Sequence, residues 1–166
     1  MRKYLAKSVE ENKLNYILEA GRVAPTVLNK RSQRFLIIRS QEGLAKLNNA
    51  GNAHGAPLAV VVCGLMDQAR VPPQDGHNMA EIDVSIATTQ MMPAVWEQGG
   101  GPCWITRFDP VVVRAEFNLP ANVAPVNILA RGYADGPVQS ASRHETARMA
   151  LDEMVWLEKR PAAWSV

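Results

Sequence analysis

Residues 21–35, GRVAPTVLNKRSQRF, separate a well-signalled helix from an apolar strand. The centre of this stretch is too basic and too polar to be core. Arg22, Lys30, Arg31 and Arg34 lie in it beside Thr26, Asn29, Ser32 and Gln33. One short connection thus gathers cations, hydroxyls and amides, and loops placed by a rigid scaffold are where binding groups concentrate. The plain alternative is a solvated loop with its turn residues. The flanking elements decide between the two.

Upstream, Ser8-Val9-Glu10-Glu11 has the serine-to-glutamate spacing of a capping box, which predicts a helix running to about Ala20. Leu14, Ile17 and Leu18 recur at helical spacing. Gly21 is placed to end that helix, and Pro25 blocks any continuation. Downstream, residues 34–39 (RFLIIR) read as a strand and 41–49 as a short helix with Leu44 and Leu47 inward. Asn48, Asn49, Gly51, Asn52 and Gly55 make a polar break. Residues 57–65 (PLAVVVCGL) are almost continuously apolar, as in a strand buried on both faces. Residues 67–78, with Pro72, Pro73 and Gly76, read as a surface loop or lid.

Residues 79–98 are the longest helical candidate. Ile82, Ile86, Thr89, Met92 and Val95 fall on one side, and Ala80, Ala87, Met91 and Ala94 make the rest apolar too. A helix apolar all round is buried, here against a second copy of the chain as well as its own core. Pro93 predicts a bend or an early end. After the break at residues 99–102 comes a short strand, 103–106. Asp109-Pro110 then gives the N-cap and first-turn signature of another helix, which stops before Pro120. Residues 126–130 (VNILA) form a last strand closed by Gly132, 135–142 are loop, and 144–159 are helical in part. The alternation predicts α/β layers.

Composition narrows the function classes. A chain of 166 residues suits one domain, and its 47% apolar and 20% charged content is that of a globular protein. A net charge of +2 without a basic block disfavours nucleic acid. Residues 1–13 lack the apolar segment of a signal peptide, and no run suits a membrane span. Cys63 and Cys103 each sit in an apolar run. They read as buried free thiols in a reducing compartment, hence a cytoplasmic protein. His54, His77 and His144 have no partners at metal-ligand spacing, and each reads as a surface histidine. No nucleophile motif or phosphate loop is present, and 99–101 is not a dinucleotide fingerprint. The side chains are poorly equipped for hard chemistry, which points to a borrowed cofactor or to simple binding.

The ordered set of segments resembles the FMN-dependent nitroreductase family, in its short single-domain branch. The segments are Arg2-Lys3-Tyr4, LNYILEAGRVAPT, Asn29, QRFLII, GAPLAVVV, AEIDVSIATTQMM, CWITRFDP, FNLP, and VNILARGYADGP followed by Arg143 and Arg148. They cover nearly the whole chain. The resemblance implies a mixed central sheet flanked by helices in an intertwined homodimer. It implies one nitroreductase-like domain over 1–166, with about 143–166 a tail packing on the partner subunit. Two FMN molecules would lie in the subunit interface. The turn Ala24–Asn29, with Pro25, Thr26 and Asn29, would contact the flavin held mainly by the other subunit, with Ser32 and Gln33 close by. Trp104, Ile105, Thr106 and Arg107 would lie beside flavin N5. Asn49 or Asn52 would meet the ring or ribityl. Arg2, Lys3 and Arg148, or else Arg143, would hold the phosphate, a role that suits arginine's bidentate bonds.

The activity so implied is hydride transfer from NAD(P)H to FMN, then to a nitro compound, quinone or similar small acceptor. The alternative is a non-catalytic flavin-binding or interaction protein on the same dimeric scaffold. The sequence also departs from the family pattern. The family's first phosphate-binding arginine and its serine would fall before Met1, which predicts FMN binding weaker by roughly a hundred- to ten-thousandfold. Lys30-Arg31-Ser32 replaces the more usual x-Gln-Pro, and Gly100 stands where leucine is more common.

Overall fold

The computed structural model describes residues 1–137, 139–140, 142–156 and 158. In chain order these form α1 (Glu11–Arg22), a 3₁₀ turn (Val27–Asn29), β1 (Gln33–Ile38), α2 (Gln41–Ala50) and β2 (Leu58–Leu65). Then come α3 (Ala80–Glu97), β3 (Gly101–Ile105), α4 (Pro110–Glu116), β4 (Val123–Gly132), α5 (Arg143–Thr146) and α6 (Leu151–Met154). Two compact units result, Met1–Gly136 and Pro137–Val166. The second contains α5 and α6, each of four residues.

In the first unit β2 sends alternate side chains into two cores. Ala59, Val61 and Cys63 join Leu47, Val113, Ile105 and Ile128 on one face. Val60 and Val62 join Ile17, Val84, Met91 and Leu129 on the other. α2 and α4 thus cover one side of the sheet and α1 and α3 the other. The strand order is β1-β2-β4-β3. Every pairing among these strands is antiparallel, where a mixed sheet is expected. The reason is the placement of β4. The connection through α3 does return β3 in the direction of β2, but β4 lies between the two and runs against both. Pro125 sits where the β2–β4 register slips, between Val62 and Cys63, a place where its missing N–H does least harm.

Helix boundaries show where local signals gave way to tertiary ones. α1 begins at Glu11 with Glu10 as its cap, and no side-chain cap bond is made, so the expected Ser8 box is not used. Glu10 is held instead by Tyr133, whose hydroxyl donates to its carboxylate while accepting from Lys13 Nζ at 2.9 Å. Gly21 does not end α1. It lies inside the helix, where a Cβ would come 2.7 Å from Phe35 and 2.9 Å from the Met91 sulfur. Its bareness lets α1 lie close on α3 and β1, and the helix runs on to Arg22. α3 continues through Pro93, which is exposed one turn from the end. Its buried face is Ala80, Val84, Ala87, Met91, Ala94 and Val95, while Ile82, Ile86, Thr89 and Pro93 face outward. α4 follows its sequence signal: Asp109 Oδ1 accepts from Val111 N (2.8 Å) and Val112 N (3.3 Å). The loop after β2 is pinned at its base, with Met79 N–H donating to the Arg70 carbonyl at 2.9 Å.

Arg131, on β4, is 1% exposed, and its three guanidinium nitrogens have no hydrogen-bond acceptor among the described residues. It stacks 4.8 Å from the Tyr133 ring centre. Gly100 makes room for it, since a Cβ there would lie 2.7 Å from Nε. We expect Gly100→Ala to destabilise by about 1–3 kcal/mol, the usual penalty for overpacking. Arg131→Leu should be neutral or stabilising, because it removes a buried cation without a counter-charge. In that background the cost of Gly100→Ala should fall by at least ~1 kcal/mol, read as non-additivity in urea melts. A cost that stays the same in both backgrounds refutes the coupling.

The hydrogen bond from Tyr133, then the backbone bond at its own N–H and the charges of Lys13 and Lys7, lower Glu10 from an ordinary 4.5 to about 2. A depressed carboxyl stabilises the fold above its ordinary value and loses that contribution as pH falls through the folded one. Thermal melts should therefore show wild-type Tm declining between about pH 4.5 and 2, and Glu10→Gln should flatten that limb. Superimposable limbs would sink this account.

Candidate functional site

β3 closes the sheet at one edge, so among the described residues alternate backbone groups of 101–105 have no strand partner, the Pro102 carbonyl accepting instead from the Met1 ammonium at 3.4 Å. The chain then leaves the sheet as Thr106-Arg107-Phe108 before Asp109 starts α4. Asp109 N–H donates to the Ala50 carbonyl at 2.8 Å, which draws the end of α2 over this exit. Gly51 permits the approach, for a Cβ would come 2.6 Å from Phe108. Between these elements opens a cleft of about 900 Å³, within the roughly 300–1,000 Å³ of ligand sites. Trp104, Ile105, Thr106 and Arg107 line it, with Cys103 and Phe108 beside them and Asn52 and His54 opposite.

Arg2 also reaches this cleft, because the N-terminus is docked on the chain after β4. Leu5 N–H donates to the Tyr133 carbonyl (2.9 Å), and Asp135 N–H to that of Lys3 (3.2 Å). Gly132 accepts the Tyr4 ring so closely that a Cβ would lie 2.7 Å from it. Burial, and secondarily the neighbouring Cys103 thiol, push the Tyr4 hydroxyl well above its ordinary range. It is an un-ionised anchor, donating to the Met1 carbonyl at 3.3 Å. Both Arg2 and Lys3 are exposed, but side chains of an extended segment alternate, and of the two Arg2 lines the cleft. Across the cleft, His54 has a φ of 59°, unusual for a residue with a side chain, and its N–H donates to Asn52 Oδ1 at 2.7 Å. Asn49 donates to Glu116 at 3.0 Å, between α2 and α4, and Asn52 is the amide that lines the cleft.

The turn at residues 24–33 is built elsewhere in the unit. Pro25, Thr26, Asn29, Ser32 and Gln33 do not line the cleft of their own chain. Thr26 Oγ1 accepts from Arg31 N–H at 2.9 Å. Ser32 is fully buried, and its hydroxyl donates to Asp83 at 2.6 Å. Gln33 is buried with its side-chain oxygen unpaired among the described residues. The Asn29 amide is exposed, with no hydrogen bond among them. In the second unit Arg143 donates to Gln139, and Arg148 to the Ala147 carbonyl at 3.2 Å.

Sequence reasoning passed over three residues here. His54 read as a surface histidine, although the Asn52–Gly55 break that places it was visible. Cys103 read only as a buried thiol. Asp83 was noted only as part of AEIDVSIATTQMM and given no role, although its place three residues after Ala80, on the helix's apolar face, was signal enough. Among the described residues no cluster of histidine, cysteine and carboxylates could hold a metal ion. None of their helices is long and apolar enough to cross a membrane.

The chain matches the model of the Nitroreductase family over residues 1–51 and 45–133. A crystal structure of a nitroreductase family protein from Clostridium difficile 630 is 41% identical, with 95% of this chain and 92% of that one covered and a TM-score of 0.93. A Methanothermobacter thermautotrophicus protein, provisionally named an NADH dehydrogenase/NAD(P)H nitroreductase, is 28% identical over 147 residues, 82% of this chain and 74% of its own length. At 22% identity, a Desulfovibrio desulfuricans structure described as a nitroreductase in complex with FMN shares the fold, with a TM-score of 0.78 and 97% and 92% of the two chains covered. An α+β fold with helices on both faces of an antiparallel sheet, and family matches that reach from the first residue to the end of β4, together mean that the chain belongs to the nitroreductase family.

Proposed function

We propose that the protein is an FMN-dependent NAD(P)H oxidoreductase, active as a homodimer in the cytoplasm on a small acceptor such as a nitro compound or quinone. The observation that carries this reading is the convergence of Arg2 with the edge strand and its exit, Trp104–Arg107, on one cleft. The cleft fits the cofactor in three respects. Its volume suits a mononucleotide. Arg2 offers charge-assisted bonds to a phosphate. Met1 covers the start of the edge strand, its N-terminal ammonium donating to the Pro102 carbonyl at 3.4 Å, and the backbone beyond it at Trp104–Arg107 offers donors and acceptors to the polar rim of a flavin. Held there, FMN would supply the redox chemistry that these side chains lack.

The chain's own part is to bind, orient and exclude. Trp104 and Phe108 give apolar wall, Asn52 and Thr106 give neutral hydrogen bonds, and the buried, un-ionised Tyr4 holds the segment that carries Arg2. The turn with Pro25, Thr26 and Asn29 serves the cofactor of the partner subunit, which accounts for its absence from its own chain's cleft. The outward face of α3, a hollow of about 680 Å³ lined by Ile82, Ser85, Ile86 and Pro93, meets the second copy. The C-terminal unit packs on the partner and contributes Arg148 or Arg143 to the phosphate. The buried free thiols suit a reducing compartment.

Purified protein mixed with FMN should elute from gel filtration as a dimer carrying the flavin absorption bands, and NAD(P)H under anaerobic conditions should bleach them. Flavin that elutes free at every concentration removes this reading, and bound flavin that no nicotinamide bleaches reduces it to a binding protein. Arg2→Ala should weaken FMN by about 10- to 150-fold, the equivalent of one charge-assisted hydrogen bond of ~1.5–3 kcal/mol. Lys3→Ala should change it less than about threefold, and equal losses for both would contradict the N-terminal geometry.

A further inference from the structure

Asp83 is the fourth residue of α3 and is fully buried on a helix face that is otherwise apolar or small. A carboxylate in such a place is costly unless hydrogen bonds satisfy it. Here both oxygens are satisfied, and both donors come from the turn after α1. Oδ1 accepts from Val27 N–H at 2.7 Å and Oδ2 from the Ser32 hydroxyl at 2.6 Å. The two donors bracket the turn at its start and its end.

Between them the backbone is strained. Leu28, Asn29 and Arg31 have φ values of 51°, 52° and 54°, in the left-handed region that side chains disfavour. Residues held in this way persist only where the surroundings over-determine them. Inside the turn, Asn29 N–H reaches the Thr26 carbonyl (2.9 Å) and Lys30 N–H that of Val27 (3.1 Å). Leu65 N–H also donates to the Ser32 carbonyl at 2.8 Å, and Arg34 donates to the Arg31 carbonyl at 2.9 Å, but among the described residues only Asp83 bonds both ends. The product is a rigid tip with Leu28 71% exposed and the Asn29 amide free to bond outward.

From this geometry we infer that Asp83 is a positioning residue, acting through Val27 and Ser32 to hold the tip in its flavin-binding conformation. The inference rests on the reading that the turn serves a flavin. The carboxylate touches no cofactor. A bond to each end of the turn sets the fraction of molecules whose tip is competent, and the apparent affinity scales with that fraction.

Two variants of the full-length protein test it. Asp83→Asn keeps the volume and removes the charge, and Ser32→Ala removes one donor from a small, buried site. Each should raise the FMN Kd about tenfold, read by flavin fluorescence, by lowering the competent fraction to about a tenth. In apoprotein, trypsin cleavage after Lys30 and Arg31 should accelerate at least about tenfold, because the open fraction rises from under about a tenth to about nine tenths. Variants with lower Tm but unchanged Kd and cleavage rates would make Asp83 a merely structural carboxylate and overturn the inference. If Asp83→Asn does not fold, Ser32→Ala decides alone. Should the wild type bind no FMN, the functional reading fails by itself, and cleavage still reports whether Asp83 holds the turn.

Discussion

A strand that is apolar at every position must be covered on both faces, and β2 imposes that condition on the rest of the unit. Val60 and Val62 require a helical layer on one side, and Ala59, Val61 and Cys63 require another on the opposite side. α1 with α3, and α2 with α4, are the two layers. Once β2 is central, β4 pairs along its length and β3 is left at the rim. The cleft exists because the chain leaves that rim strand without a neighbour and is at once recaptured by the Asp109 cap and the end of α2. Burial of one strand therefore determines, several steps on, where unpaired backbone meets a basic N-terminus.

The elements most legible in the sequence were those fixed by near neighbours. Asp109-Pro110 states its helix start outright, and 57–65 states its double burial. α3 is readable within one residue at each end. What failed was governed by contacts distant in sequence. Ser8 carries a sound capping signal, but Tyr133, from far along the chain, bonds Glu10 with Lys13 of the first turn beside it, and the helix begins there instead. Gly21 looks like a terminator, and only Phe35 and Met91 reveal it as a packing contact. The antiparallel sheet was hidden because β4, last in sequence, lies between β2 and β3.

The candidate site divides along the same line. Arg2 and 104–107 were named from a family resemblance, and the structure gathers them around one cleft. His54 was passed over because the Asn52–Gly55 break announces a turn but not the left-handed backbone that sets the histidine on the cleft wall. Ser32 and Gln33 were read with the turn's binding groups, yet their side chains are buried beneath it. Polar residues in a loop advertise either recognition or internal bracing, and composition alone does not separate the two. Here the exposed tip and its buried support sit within three residues of each other.

Gly100 and Arg131 carry a consequence for how this sequence can drift. They lie 31 positions apart on different elements, yet they fill one volume. While the guanidinium stays in place, any side chain at position 100 must displace it and costs stability. Replacing the arginine first removes that cost, and a side chain then settled at 100 raises the cost of the arginine's return. The pair behaves as a ratchet in sequence space: the order of change sets how much stability each step costs.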